Sequence, residues 1–380
     1  MPTLEIPAAW MRGGTSKGLF FTSDVLPALP AERDAILLRA MGSPDPYGKQ
    51  IDGLGGATSS TSKVVIIGPS ARADCDVDYL FGQVPVSGGP IDWSGNCGNL
   101  TAAVGPFAIR AGFVVAPREG STTVRIWQAN IARRIDAHVT LRDGEVVEDG
   151  RFRLDGVCFP GAPVRLDFID PAGAPGPDLF PTGRLQDLLE VDGQRFAATL
   201  INAGNPLVLV RAADLDVDCA ASAATLSARG DLLARCEALR AAGSVALGLA
   251  PDTDTARLRG HTPKLALLDH PQAFTAADGR AFAADDTDLA CRVLSMGVFH
   301  HAIPGTAAVA LASAAALAGT LAAALVRPHA GAVRLAHPSG LTSVEARIQG
   351  SGATARVRCV TMTRSARLLM SGHVRVPTGH

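Results

Sequence analysis

Apolar positions in the first half of the chain come in short runs closed by glycine-rich turns. Lys63–Ile67 is a short apolar, β-branched run, Val77–Val84 is another strand candidate, and Thr122–Ala129, Ala137–Leu141 and Val164–Phe168 extend the pattern. Ala9–Met11 and Leu19–Phe21 flank the segment Arg12–Gly18, which reads as a loop between two extended pieces. Helical spacing appears over Arg33–Met41 and from Asn99 to Ala111, where Pro106 is expected to kink or reset the helix. The second half opens on an apolar strand, Phe196–Val210, interrupted by Asn202–Pro206. Helices are predicted over Ala221–Ala242, and strands at Leu265–Leu268, Ala332–Leu335, Val344–Ile348 and Val357–Val360, before a helical or extended tail. Proline-rich sequence around Pro171–Pro181 reads as a boundary, giving expected domains over 1–190 and 191–380.

Thr306–Val326 is the longest apolar run. Its length would fit a membrane span, but it is mostly alanine with Ser313, Gly319 and Thr320 inside it, so a helix buried within a domain is expected. The run also echoes the first half. Thr101-Ala102-Ala103-Val104 follows Asn96-Cys97-Gly98-Asn99-Leu100, and Thr306-Ala307-Ala308-Val309 follows Pro304-Gly305. Both tetrapeptides fall at predicted helix starts, whose unpaired N–H groups and partial positive charge suit a carboxylate. Each Gly-Thr also makes sense as a simple cap.

Composition narrows the function classes. The 380 residues are 47% hydrophobic and 19% charged, with a net charge of -1, so no basic excess points to nucleic acid or a membrane surface. The start of the chain lacks the basic-then-apolar pattern of a signal peptide. Seven scattered cysteines form no CxxC pair, which fits a reducing cytoplasm. No cluster has metal-ligand spacing, and the adjacent His300 and His301 would point apart on a helix or strand.

The lysines carry more information. Of 35 basic residues only Lys17, Lys49, Lys63 and Lys264 are lysine. An ammonium can lose its proton when desolvated, whereas a guanidinium effectively cannot. A chain that uses arginine for generic charge invites inspection of each lysine as a possible base, with a plain solvated role as the alternative, strongest for Lys49.

Several segments resemble one family. They are Met11–Gly18, Gly42–Gly53, Gly55–Lys63, Asp92–Asn99 and Arg125–Asn130, then His261–Lys264, Ser295–Gly297, His337–Gly340, Ser365–Arg367 and Val374–Pro377. Together they resemble the 2-methylaconitate cis–trans isomerases, the PrpF family, over nearly the whole chain. The resemblance implies an α+β fold of two pseudo-symmetric, diaminopimelate epimerase-like domains. Each would wrap a mixed β-sheet around a central apolar helix, with the active site in the interdomain cleft and the C-terminal segment returning to the first domain. The epimerases place a cysteine before each central helix. Here Cys97 precedes the first, but the second start reads Pro304-Gly305-Thr306, so a two-thiol racemisation is disfavoured.

By the same resemblance the acid/base role falls to Lys63, with Cys97 as second functional residue. Substrate-binding candidates are Arg12, Gly13, Gly14, Thr15, Ser16, Lys17, Ser60, Ser62, Asn96, Gly98, Asn99, Lys264, Ser295, His300, Gly305 and Thr306. The implied activity is cofactor-independent and metal-free isomerisation of 2-methylaconitate, trans to cis, in propionate catabolism through the methylcitrate cycle. The implied partner is a small tricarboxylate, with no nucleic acid or membrane and a possible homodimer. Competing readings are an oxalomesaconate tautomerase or allylic isomerase, an aconitate isomerase, and a non-catalytic tricarboxylate-binding protein.

Overall fold

A computed structural model describes residues 3–172, 179–328 and 330–377, and within it the chain folds as two compact units. The first unit holds the chain up to Arg153, Phe159–Leu166 and everything from Arg364 onward. The second holds Leu154–Cys158 and Asp167–Thr363. The units therefore part near Arg153–Asp167 rather than at 190. The physical reason is that Leu189 and Glu190 pair with Phe196 and Arg195 in an antiparallel hairpin, which a cut after 190 would sever. Residues 173–178 of the proline-rich stretch lie outside the described residues.

In the first unit β1 (Thr3–Gly13) and β2 (Ser16–Thr22) form a hairpin, and α1 (Pro30–Met41) follows. Next come β3 (Lys63–Pro69) and β4 (Val77–Gln83), then α2 (Thr101–Arg110). β5 (Gly120–Gln128), β6 (Arg133–Arg142) and the short β7 (Glu145–Val146) complete its first pass. β2–β3 and β4–β5 are parallel, β1–β2, β3–β4 and β5–β6 antiparallel, and the final strand of the chain, Ala366–Pro377, pairs along β1. Alternation sets the inward faces: β6 buries Ile135, Ala137, Val139 and Leu141.

α2 is the apolar centre of this unit, with every residue from Thr101 to Ala108 buried. Pro106 sits inside the helix without resetting it, contrary to the sequence expectation. Burial on all sides outweighs the one backbone bond a proline forgoes. Gly105 shows how close the packing is, since a Cβ there would lie 2.9 Å from a Val139 methyl on β6.

β8 (Val164–Ile169) carries the chain into the second unit, where the same order repeats. β9 (Asp187–Val191) leads to a hairpin of β10 (Gln194–Ala203) and β11 (Asn205–Arg211). The expected helical stretch resolves into α3 (Ala223–Ser227) and α4 (Gly230–Ala246), and α5 (Thr253–Arg257) follows. β12 (Lys264–Asp269) runs parallel to β11. After the small pair β13 (Phe274–Thr275) and β14 (Ala281–Phe282), β15 (Leu289–Ser295) pairs antiparallel with β12 and turns into β16 (Val298–Phe299). The central helix α6 (Gly305–Ala315) is buried at every residue. After α7 (Leu321–Leu325), β17 (Val333–His337) runs parallel to β15, and β18 (Gly340–Gln349) and β19 (Arg356–Arg364) extend the sheet. The tail is extended, forming β20 (Ala366–Pro377) back on β1.

The expected single helix over Thr306–Val326 is thus two. Gly319 takes φ +96°, and Thr320 caps α7 by accepting from Ala323 N at 3.1 Å while its hydroxyl donates to Ala314 O at 2.7 Å. Among the described residues no helix is long and apolar enough to cross a membrane.

Candidate active site

The β1–β2 turn and the start of α2 are built against each other. Gly14 has φ +52°, and a Cβ on it would lie 2.6 Å from Asn99 Oδ1; one on Gly13 would lie 2.7 Å from Asn99 O. The loop expected over Arg12–Gly18 shrinks to Gly14-Thr15, with Gly13 paired to Ser16. Gly18 is needed for a second close approach, because a Cβ there would meet Lys63 O at 2.8 Å. The glycines of this segment therefore let β2 lie tightly beside both Lys63 and the helix start.

Lys63 is the first residue of β3 and only 6% exposed. Its Nζ donates to Gln83 Oε1 at 2.5 Å and lies 4.9 Å from the centre of the Phe81 ring. Gln83, the last residue of β4, sits opposite it in the ladder. Gln83 is oriented by its own Nε2, which donates to Ser62 O at 2.9 Å, so its oxygen must face the lysine. Among the described residues no carboxylate pairs with Lys63. Burial pushes its pKa down, while negative charge on Cys97 acts in the opposite sense. A neutral acceptor holds the amine without favouring its charged form as a carboxylate would.

Cys97 is buried in the turn ahead of α2. Its sulfur accepts from Leu100 N at 3.5 Å, its carbonyl from Thr101 N and Thr101 Oγ1, both at 3.0 Å, and from the Tyr79 hydroxyl at 3.4 Å. Asn96 and Gly98 flank it in the same buried turn, with Thr101 Oγ1 3.5 Å from Asn96 Oδ1. Asn99 Nδ2 donates to Thr15 Oγ1 at 3.0 Å. The first unit therefore brings together Lys63, Cys97, Asn99, Thr15 and Gly14.

Other expected residues have structural partners. Arg12 Nη1 donates to Gly14 O and to Ser365 O, at 3.1 and 2.8 Å. Lys17 N donates to Ser60 O, and Lys17 Nζ lies 5.5 Å from the Trp10 ring centre. Ser16 is buried beside this turn, and Ser60 Oγ contacts Thr58 Oγ1 at 3.0 Å. Ser62 is fully buried and accepts from Gln50 Nε2 at 2.8 Å. Gln50 also donates to Ser43 and receives Ala57 N, which explains the Gly42–Gly53 segment as a scaffold for the Lys63 loop. Lys49 is exposed. Gln50 and Gln83 escaped sequence reasoning, because a lone glutamine carries no motif until pairing register reveals its neighbour.

The second unit gathers its own set. Lys264 begins β12, is 4% exposed, and donates to His261 O at 2.7 Å with His261 Nδ1 at 3.3 Å. Ser295 ends β15 and is buried. Gly305 and Thr306 open α6, where Asn205 Nδ2 donates to Thr306 Oγ1 at 3.3 Å. His300 Nδ1 accepts from Ala302 N at 3.0 Å. His300 and His301 lie on neither a helix nor a strand, and their rings stack, 4.6 Å apart at 22°.

A family model described as PrpF protein matches residues 3–377. The chain belongs to the PrpF family. It is 50% identical to the 2-methyl-aconitate isomerase of Shewanella oneidensis, across 99% of this chain and 98% of that protein. Among solved structures it is similar to methylitaconate-delta-isomerase, with a TM-score of 0.79 and 36% identity over 99% of this chain and 96% of that one. A protein described as a probable proline racemase, from Agrobacterium radiobacter K84, shares the fold at TM-score 0.56 and 15% identity, over 98% of this chain and 93% of that one. The PrpF chain thus has the diaminopimelate epimerase-like fold anticipated from its sequence.

Proposed function

We propose that this PrpF protein interconverts the trans and cis isomers of 2-methylaconitate, with Lys63 taking a proton from the substrate and giving it back. The observation that carries the reading is the Lys63 amine: buried, held by a neutral glutamine, and driven by desolvation toward its uncharged form. The name of the 50%-identical relative supplies the substrate.

The chemistry follows from a CH2 group beside a carbon–carbon double bond conjugated to a carboxylate. The Nζ lone pair takes one CH2 proton, and the C–H electron pair enters the conjugated system, ending largely on carboxylate oxygens. The former double bond gains single-bond character and rotates. The Lys63 ammonium then returns the proton, restoring the electron count and leaving the other isomer. No electrons leave the substrate, so the step needs no electron carrier. Cys97, whose charge bears on Lys63, either exchanges a proton with the opposite face or orients the substrate. Carboxylate ligands are proposed at the Gly98 and Asn99 turn and at Thr15, with the Lys264, Ser295, His300 and Gly305-Thr306 set as further ligands. A cytoplasmic location agrees with the free cysteines of the described chain.

The test offers the purified protein 2-methyl-trans-aconitate in deuterated buffer, with proton NMR following the cis isomer and deuterium uptake. Conversion without added cofactor, with deuterium entering at the CH2 carbon, is expected. Strict dependence on a metal or flavin would remove the scheme, and binding without turnover would leave a tricarboxylate-binding protein. Oxalomesaconate and aconitate, offered in parallel, should turn over more slowly. Cys97→Ala separates the two roles of the thiol: loss of most activity marks proton transfer, and near-normal rates mark orientation.

A further inference from the structure

Arg364, the last residue of β19, is 2% exposed and donates from Nε to Asn99 Oδ1 at 3.2 Å. A guanidinium has donors and no acceptor, so the carboxamide oxygen of Asn99 must face it. The Asn99 NH2 is thereby turned toward Thr15 and donates to Thr15 Oγ1 at 3.0 Å. Having accepted there, the Thr15 hydroxyl has its own hydrogen left to give. Thr15 is half-buried, whereas Asn99 and Arg364 are each 2% exposed, so of the three side chains that of Thr15 is the most open to a ligand.

We propose that Arg364 is a positioning residue which, through Asn99, fixes Thr15 as a hydrogen-bond donor to a substrate carboxylate. The inference rests on the reading that Thr15 binds substrate. A carboxylate only accepts hydrogen bonds. Were the Asn99 amide reversed, Thr15 would donate its hydrogen to Asn99 and turn lone pairs toward the incoming anion. The turn above holds the amide in place. Gly14 N donates to Ser365 O at 2.9 Å, and Arg12 Nη1 reaches the same oxygen at 2.8 Å, so the residue after Arg364 is tied to the β1–β2 turn. The 2.6 Å approach that any Cβ on Gly14 would make to Asn99 Oδ1 shows how closely the turn covers that amide.

The experiment measures kcat and KM for 2-methyl-trans-aconitate in Thr15→Val, Asn99→Asp, Arg364→Gln and Arg364→Lys, with the first three also combined pairwise. Thr15→Val should raise KM about tenfold, the usual worth of a hydrogen bond to a charged group, with kcat little changed. Asn99→Asp keeps an acceptor for Arg364 but has no N–H for Thr15, and it should raise KM similarly. Arg364→Gln, which can accept as well as donate, should do the same. In the Thr15→Val background neither should add more than about twofold, because the donor they orient is already gone. Arg364→Lys, still donor-only, should stay within about threefold of the parent and serves if the glutamine variant fails to fold. Unchanged KM in Asn99→Asp or Arg364→Gln, or effects that multiply with Thr15→Val, would overturn the relay. Absence of turnover in the unmodified protein would instead remove the isomerase reading itself.

Discussion

Lys63 and Lys264 begin the same strand of the two units. Lys63 lies two residues before Val65 in a strand parallel to β2, and Lys264 faces Leu207, two residues past the β10–β11 turn, just as Gly18, beside Lys63, lies two residues past Ser16. Gln83 ends the strand antiparallel to β3, and Ser295 ends the strand antiparallel to β12. Around this shared frame the chemistry diverges. Lys63 gives its hydrogen bond to a glutamine side chain and lies over Phe81, and a thiol stands four residues before the helical Thr101. Lys264 gives its bond to a backbone carbonyl beside the His261 ring, and four residues before Thr306 stands Ala302. On the proposed function, the first unit holds a proton-transfer lysine and the second a binding lysine. Equivalent position in a repeated fold therefore does not confer equivalent chemistry; the neighbours decide.

The sharpest way to break that contrast is to exchange the lysines' roles. Lys63→Ala and Lys63→Arg should each lower kcat by about 10²- to 10⁴-fold, the range expected for loss of an acid/base group. Arginine fails because it cannot give up its proton near neutral pH. Lys264→Arg should retain most activity, and Lys264→Ala should raise KM about tenfold with a smaller change in kcat. Steady-state kinetics on the four variants decide the matter. Equal kcat losses at both positions would erase the division of labour.

A subtler test changes the partner of Lys63. Gln83→Glu places a carboxylate where a neutral amide now accepts. The opposite charge favours the ammonium and raises the lysine pKa. On the proposed mechanism activity needs the free amine, so the acid limb of the kcat/KM profile should move to higher pH and the rate near pH 7 should fall. An unmoved limb would mean that another group governs it. The corresponding Ser295→Glu in the second unit should leave that limb where it is.

Much of this was legible in the residues themselves. Strand runs, two buried central helices, the repeated Thr-Ala-Ala-Val and the scarcity of lysine all register in local sequence, because period and composition reflect burial. Both tetrapeptides do sit in the first turn of a central helix, at Thr101 and Thr306. What escaped depends on partners distant along the chain. Gln83 gains meaning only from the β3–β4 register, and Arg364 only because the chain returns, 265 residues after Asn99, to the turn that precedes α2. The break after Ala315 was missed because alanine-rich sequence reads as helix on both sides of Gly319, and the cap is a single threonine bonding back to Ala314. The domain limit was missed because prolines mark a bend in the chain and not which strands pair across it.

The smallest expected effect concerns stability. The folded-state pKa of Lys63 lies below the ordinary lysine value of 10.5, chiefly through burial. Its contribution to stability is thus most favourable above about 10.5 and is lost as pH falls through the folded value, since across that window the unfolded chain binds a proton the native chain does not. At neutral pH the native state carries this penalty. Lys63→Met combined with Gln83→Met removes the buried charge together with the acceptor it would otherwise strand, and should therefore stabilise the fold by about 1 kcal/mol while removing activity. For a protein of this size that is a rise in Tm of about 1 °C. The gain should shrink at alkaline pH, where the parent's lysine is neutral in both states. Lys264 offers the control, because Lys264→Met takes a donor from the His261 backbone carbonyl, an acceptor that no substitution removes with it, and should give no comparable gain. Matched denaturation curves of the two variants at neutral and alkaline pH would show whether the fold bears a cost at Lys63 alone, as expected of a lysine kept for its lone pair rather than its charge.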